Sequence, residues 1–170
     1  MVNCPYLLQA LCLLLFFFLV PPAFAGDVLH ALKAVGSTEL SFKDMTGGLI
    51  RVTITQSQLD SSYPYRGPLL WGGDTQALPQ RVVSSIKIQK DNKGMFVPLS
   101  AYADLGDAMS VSFDSIKDGF RVSLHGGNTA TSYDATLFFE RGFLRRREVR
   151  LRELPDDRWE KTTYAFPGNN

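Results

Sequence analysis

The sequence predicts a mainly β protein, an antiparallel β-sandwich or barrel of about eight strands with a short N-terminal helix. Apolar and polar residues alternate through much of 95–154, and a period of two is typical of strands with one buried face. Turn-forming glycines such as Gly119, Gly127 and Gly142 separate the alternating runs. The successive runs start roughly a dozen residues apart, which favours antiparallel connections over crossovers.

Residues 1–25 have the pattern of a secretory signal peptide. They contain no charged side chain, residues 7–20 are almost uninterruptedly apolar, and an Ala-Phe-Ala cleavage site ends at Ala25. The apolar run is short for a membrane span, which needs about 20 residues. We therefore expect cleavage after Ala25, no stable membrane span, and export of one mostly-β domain, 26–170, to the periplasm or the extracellular space.

Composition argues against several function classes. Both cysteines, Cys4 and Cys12, lie in the leader, so the exported domain has no thiol for a disulfide or a zinc site. Lys and Arg number 18 against 17 Asp and Glu, and this balance gives no reason to expect nucleic acid as a partner. The chain has no Gly-x-Ser-x-Gly elbow and no histidine pair at metal-ligand spacing. We expect a protein that is not an enzyme and needs no cofactor or metal.

The domain is expected to begin with a helix and a hairpin. Residues 27–35 carry apolar side chains three or four apart, between a capping residue, Asp27, and a helix-stopping residue, Gly36. Residues 39–43 and 49–56 then flank a Gly-Gly turn and predict two paired strands. A further strand is predicted over 82–88. The inward side of the second hairpin arm is expected to carry Ile50, Val52 and Ile54.

The central strands follow from alternation and turn residues. A hairpin tip is predicted at Arg141-Gly142, and a β-bulge after it, because Phe143 would otherwise share a face with Arg145 and Arg147. The strands before this tip are expected over 95–105, 109–113, 120–124 and 133–139.

Residues 59–80 show neither helical nor strand periodicity, and a connection of this length is often functional. It is also rich in residue types that are enriched in binding hot spots. One hypothesis is a loop that binds a partner. The alternative is structural: Leu69, Leu70 and Trp71 would plug an open end of the sandwich. The binding hypothesis assigns the contacts to Tyr63, Tyr65, Arg66 and Trp71.

An arginine-rich strand over 145–154 is the second candidate binding element. Val149 and Leu151 are predicted to face inward, which leaves Arg146, Arg150 and Arg152 as an outward stripe for an anionic polysaccharide, a phospholipid headgroup or an acidic protein. The alternative is an ordinary solvated strand. Its arginines would then pair with carboxylates of neighbouring strands, namely Asp134, Glu140, Asp157 or Glu160.

Two catalytic or metal-binding alternatives are weaker. Carboxylates on neighbouring strands and turns could bind calcium, although no EF-hand spacing is present. His125 would support hydrolysis only if a carboxylate and a serine lay within hydrogen-bond reach of its ring. The carboxylates considered for calcium are Asp104, Asp107, Asp114 and Asp118.

These observations lead to one function hypothesis and one main alternative. The hypothesis is an exported, non-enzymatic binding domain whose partner is a protein or a glycan. The alternative is a carrier of small apolar ligands with a cavity inside a β-barrel.

Overall fold

The computed structural model describes residues 28–60, 70–73, 78–156 and 159–166. These residues form ten strands and two three-residue 3-10 helices, Leu99–Ala101 and Thr129–Thr131. The strands are β1 (His30–Ala31), β2 (Gly36–Lys43), β3 (Leu49–Gln58), β4 (Arg81–Lys90), β5 (Lys93–Met95), β6 (Ala108–Ile116), β7 (Gly119–Gly126), β8 (Tyr133–Glu140), β9 (Phe143–Leu151) and β10 (Trp159–Thr163).

The strands form two separate antiparallel sheets rather than a closed barrel. The first sheet has six strands in the order β1-β6-β7-β8-β9-β10, and the second has four in the order β2-β3-β4-β5. Every pairing between neighbouring named strands is antiparallel. Residues from both sheets share one buried hydrophobic cluster, so the prediction of a mainly antiparallel β fold is confirmed.

Alternation decides which side chains enter that cluster. Ile50, Val52 and Ile54 of β3 are buried as predicted, and so are the alternate residues of β7 and β8. Phe42 connects the layers, since its ring stacks on Phe113 at 4.5 Å between centroids and meets Phe120 edge-on at 5.7 Å. Burial of each large apolar side chain stabilises the fold by about 1.5–3 kcal/mol.

The helix predicted over 27–35 is absent from the part of this segment that the structure describes. His30 and Ala31 instead form β1, whose residues pair with Val111 and Ser110 at the edge of β6, and the Leu32 N–H donates to the Met109 carbonyl at 2.9 Å. Because a helix of nine residues is marginal on its own, the open edge of β6 is the better partner for these backbone groups.

The strand predicted over 95–105 is also wrong beyond its first residue. β5 ends at Met95, and a 3-10 helix follows Pro98, which has no N–H to donate to a sheet ladder. Leu99, expected to face inward, is 66% exposed, whereas Ala101 enters the core from the 3-10 helix and Leu105 from the loop that follows it.

The predicted bulge after the hairpin tip is present. Phe138 pairs with Arg146 and Phe139 with Leu144, so β9 carries one unpaired extra residue, Arg145. The bulge reverses the faces of β9 at this point. Leu144 and Arg147 therefore face the core, while Arg146 is turned outward.

The described residues include no cysteine, because Cys4 and Cys12 both lie before residue 28. Among those residues, no helix has the length and apolar character needed to cross a bilayer.

Candidate functional site

The outer face of the six-stranded sheet carries polar side chains in three parallel rows that run across strands β6 to β9. Each row consists of residues that pair directly on neighbouring antiparallel strands, so their side chains lie side by side. The phenylalanine row is Asp114, Arg121, Phe138 and Arg146; the hydroxyl row is Ser112, Ser123, Thr136 and Glu148; and the histidine row is Ser110, His125, Asp134 and Arg150.

In the phenylalanine row, an aromatic ring lies between two arginines. The Arg146 guanidinium carbon is 3.9 Å from the centroid of the Phe138 ring, which is only 9% exposed. Arg121, which pairs with Phe138 from the strand on the opposite side, forms an ion pair with Asp114. Stacking uses the flat face of a guanidinium and leaves its N–H edge available to an anion. Arg146 is therefore held by its face, and its ion-pair partner among the described residues, Glu148, lies 3.5 Å from its Nε.

The hydroxyl row is a strip of short side chains between two rows of larger ones, and we call this strip the trough. Its Ser and Thr side chains are short, and the Ser123 hydroxyl lies 3.1 Å from that of Thr136. The two flanking rows carry larger side chains. Residues two apart on a strand are about 7 Å apart, so the flanking rows lie roughly 13 Å from each other. The trough is thus wide enough for one extended polymer chain lying across the strands.

The histidine row contains a carboxylate, Asp134, that accepts two short hydrogen bonds. Oδ1 of Asp134 accepts hydrogen bonds from Nδ1 of His125 and from Nη2 of Arg152, each at 2.7 Å. Because an ionised carboxylate can only accept, Nδ1 carries the proton, and the 3.3 Å approach of Arg152 to that nitrogen is no hydrogen bond. Burial raises the pKa of Asp134, but these hydrogen bonds outweigh it and lower the pKa to about 2.

The side chains of Ser112, His125 and Asp134 form a hydrogen-bonded chain with the same three residue types as a serine hydrolase triad. Nε2 of His125 lies 3.2 Å from the Ser112 hydroxyl, and Nδ1 faces Asp134. Sequence reasoning set this contact as the condition for a hydrolytic role. The Ser112 residue is, however, only 2% exposed, so a substrate carbonyl cannot reach its hydroxyl in this conformation. The arrangement orients the imidazole and presents no accessible nucleophile.

All three arginines predicted to bind a partner lie on or beside this face. Arg150 and Arg152 are about half exposed, with side-chain exposures of 54% and 49%. Arg146 and Arg150 share the carboxylate of Glu148 at 3.5 and 3.6 Å, distances too long for strong pairing. A depression of about 230 Å³ is lined by Arg150 and by Asp156 of the turn before β10. The alternative of arginines paired across the sheet describes Arg152, which binds Asp134, and Arg147, which binds Glu160. Among the described residues, Arg146 and Arg150 form ion pairs with Glu148 of their own strand, and the further partner considered, Asp157, lies outside the described residues.

The balance of charge on this face is positive. Lys161 of β10 lies directly across from Glu148 and is exposed. The three rows contain three cationic and three carboxylate side chains; Arg152 and Lys161 beside them add two cations and Glu140 of the same face adds one carboxylate, which gives a net charge of +1 when His125 is neutral.

The predicted loop contacts lie elsewhere or outside the described residues. Tyr63, Tyr65 and Arg66 belong to the segment 61–69, which the structure does not describe. Trp71 is half-buried, its ring lies 6.3 Å from that of Tyr133, and it forms a parallel bridge with Leu105. With Leu70 buried beside it, these contacts favour the structural interpretation for residues 70 and 71.

The carboxylates considered for calcium are dispersed. The three that form ion pairs each have a different arginine as partner, and in the described part of the chain no group of three His, Cys, Asp or Glu side chains is placed to hold a metal ion. The pairs are Asp104 with Arg147, Asp107 with Arg81, and Asp114 with Arg121.

Sequence reasoning missed the trough itself. Arg121, Ser123 and Phe138 were not singled out, because their significance comes from register rather than from a local motif. The available signal was turn length: Arg141-Gly142 is a two-residue hairpin loop with φ values of 51° and 88°, and such loops fix the pairing of the strands they join.

Comparison of the chain with protein families, with curated protein sequences and with solved structures finds no match.

Proposed function

We propose that the protein is an exported, non-enzymatic binding domain that holds an acidic glycan in the trough on the outer face of the six-stranded sheet. The observation that carries the proposal is the row of short hydroxyl side chains between two rows of charged ones. The hydroxyls of Ser123 and Thr136 can exchange hydrogen bonds with sugar hydroxyls. Guanidinium groups bind the carboxylate or sulfate groups of such a chain in a bidentate way.

Pre-organisation supports this assignment. The Phe138 ring holds Arg146 in place, and the strands beneath are paired on both sides. Little side-chain freedom is lost when a ligand binds an arginine that is already ordered. Among the described residues, Arg146 and Arg150 form ion pairs only with one shared carboxylate at 3.5 and 3.6 Å, which leaves both arginines available to an anion.

The carrier alternative has less support. The space between the sheets is filled by buried side chains such as Tyr133, Phe139 and Leu144. The chain does not form the closed barrel in which a central cavity was expected.

Binding of acidic oligosaccharides to wild type and to an Arg146→Gln/Arg150→Gln variant tests the proposal. The ligands are oligogalacturonate and a sulfated heparin fragment, measured by calorimetry on protein purified from the exported fraction. Because each charged hydrogen bond contributes about 1.5–3 kcal/mol, we expect Kd to rise at least tenfold in the variant. A matched control, Lys33→Gln/Lys87→Gln, removes two exposed cations elsewhere and should change Kd less than twofold.

Thr136→Val separates a glycan from an acidic protein segment. This change removes a hydroxyl from the trough floor and keeps its shape, so glycan affinity should fall about fivefold, as expected for one lost neutral hydrogen bond. Binding of polyglutamate should not change. Equal affinity of both glycans for wild type and the double-arginine variant, with folding verified by circular dichroism, would refute the proposal. Binding of polyglutamate alone would assign the face to an acidic protein instead.

A further inference from the structure

A second recess lies at the end of the sandwich where turns from both sheets meet. Its volume is about 450 Å³, within the range of small-molecule sites. The turn between β2 and β3 contributes Asp44 and Met45, the turn between β6 and β7 contributes Lys117, and the turn between β8 and β9 contributes Arg141. This end pocket is separate from the trough, and none of its lining residues belongs to the three rows.

The floor of the end pocket is apolar. Met95 and Ile116 are half-buried and supply the apolar surface that a ligand can reach, while Phe120 and Phe139, which also line the pocket, are buried and form a stacked pair with ring centroids 4.9 Å apart and planes within 8° of each other. Water against such a floor is readily displaced by an apolar group, and each buried CH₂ contributes roughly 0.8 kcal/mol.

The rim of the end pocket is ionic and unevenly compensated. Asp44 is buried and accepts hydrogen bonds from Thr46, from the Gly48 N–H and from Lys90, whose Nζ lies at 2.5 Å, so the charge of Lys90 is neutralised. Lys117 and Arg141 are exposed and form no ion pair with other described residues.

The remaining carboxylate on the rim is Asp118, whose backbone carbonyl accepts the N–H of Arg141. Three cations therefore face two carboxylates in the lining, and one of those carboxylates is fully engaged by Lys90 and its neighbours. The apolar floor and the uncompensated positive charge of the rim are together complementary to a small molecule with an apolar part and one anionic end group.

We infer that the end pocket binds a small anionic amphiphile, with its apolar body against Met95 and Ile116 and its anionic head between Lys117 and Arg141. A fatty acid of medium length or an aromatic carboxylate has this chemistry. The inference concerns a different site from the trough, and either can fail without the other.

The test uses anilinonaphthalene sulfonate as a fluorescent probe and dodecanoate as its competitor, on protein purified from the exported fraction. We expect saturable binding of one probe molecule per chain, displaced by dodecanoate and not by dodecanol at equal concentration. In Lys117→Gln/Arg141→Asn the affinity for dodecanoate should fall at least fivefold. Asn tolerates the positive φ of 51° at position 141, so this variant keeps the turn. The control Lys33→Gln/Lys87→Gln should change the affinity less than twofold.

A steric variant provides an independent readout. Met95→Trp places a larger ring in the end pocket and should abolish probe binding, while circular dichroism shows the same β content as wild type. If dodecanoate fails to displace the probe at up to about 1 mM, the inference is wrong. It is also wrong if dodecanol displaces the probe as well as dodecanoate does, or if the Lys117/Arg141 variant and the control lose affinity equally.

Discussion

Arg147 places its guanidinium inside the sandwich, with its side chain only 3% exposed. Nη2 donates to both carboxylate oxygens of Asp104 at 2.7 Å, and Nη1 donates to Glu160 at 2.6 Å. Asp104 belongs to the loop before β6 and Glu160 to β10, so one side chain connects the neighbouring strands β9 and β10 to a loop that lies 43 residues earlier in the sequence. Its role is to hold the irregular 102–107 loop against the sheet.

Replacing Arg147 with Met leaves Asp104 and Glu160 without their shared cation, although both remain partly in contact with water. We expect the free energy of unfolding to fall by about 2–4 kcal/mol, measured by urea denaturation. Arg150→Met removes an arginine of the same strand that is exposed, and should cost less than about 1 kcal/mol. Similar losses for the two variants would contradict the anchoring role of Arg147.

Asp134 gives the fold a pH dependence of known sign. Its pKa is about 2 in the folded protein against its usual 3.8, because hydrogen bonds from His125 and Arg152 outweigh burial. A carboxyl group whose pKa is lower in the folded than in the unfolded protein stabilises the fold at any pH above the unfolded-state pKa. This contribution disappears as the pH falls through the folded-state pKa. The stabilisation is thus present above about pH 4 and lost between about pH 4 and pH 2.

Asp134→Asn should therefore be less stable than wild type at pH 5, with the difference shrinking steadily as the pH approaches 2. Urea denaturation at pH 5, 4, 3 and 2.5 measures this difference. Asp156→Asn, which changes an exposed turn carboxylate, shows whether any lost carboxylate gives the same profile. A difference for Asp134→Asn that stays constant with pH would show that the hydrogen bonds do not act through ionisation.

The hairpin of β8 and β9 is the element that sets both candidate sites. Its two-residue turn, Arg141-Gly142, has positive φ at both positions, which matches the twist of the strands it joins. The bulged residue Arg145 then exchanges the faces of β9, so that Arg146 lies over Phe138 beside the trough. The same turn brings Arg141 to the rim of the end pocket.

Gly142→Ala tests the contribution of that turn. A Cβ at Gly142 would meet no atom within 4 Å, so the cost is backbone strain alone at a φ of 88°. We expect a loss of about 1–2 kcal/mol in the free energy of unfolding, by thermal or urea denaturation. Gly94→Ala is the matched control, since its Cβ also enters open space and its φ is not positive; its effect should stay within about 0.5 kcal/mol. Equal losses of stability in Gly142→Ala and Gly94→Ala would mean that the turn does not require a positive φ at position 142.

Across the whole molecule, the sequence alone predicted those strands and turns that leave a pattern within a short stretch of residues. The alternating residues of β7 and β8, the β2–β3 hairpin and the bulge in β9 were all predicted, because each leaves a pattern within about ten residues. β1 was predicted as a helix because its pairing depends on the edge of β6, which is distant in sequence. Export, the absence of enzymatic activity and the loop contacts at Tyr63, Tyr65 and Arg66 stay predictions.

The candidate sites were predictable only in part, for the same physical reason. Arg146 and Arg150 could be assigned to an outward face from alternation, but their neighbours Phe138 and Thr136 come from another strand and need the register. Arg147 could not be identified as buried without Asp104, since its partners are supplied by a distant loop. The end pocket is assembled from turns of both sheets, and no single stretch of sequence encodes it.

The strand order has a consequence for the time course of folding. β6 to β9 join through short connections, so their pairing needs little loop closure, whereas β1 must find β6 across most of the domain, with His30 opposite Val111. We expect the meander of β6 to β9 to form early and β1 to dock last. The segment that follows the predicted leader would then be the final part of the chain to become protected, after the trough has already taken shape.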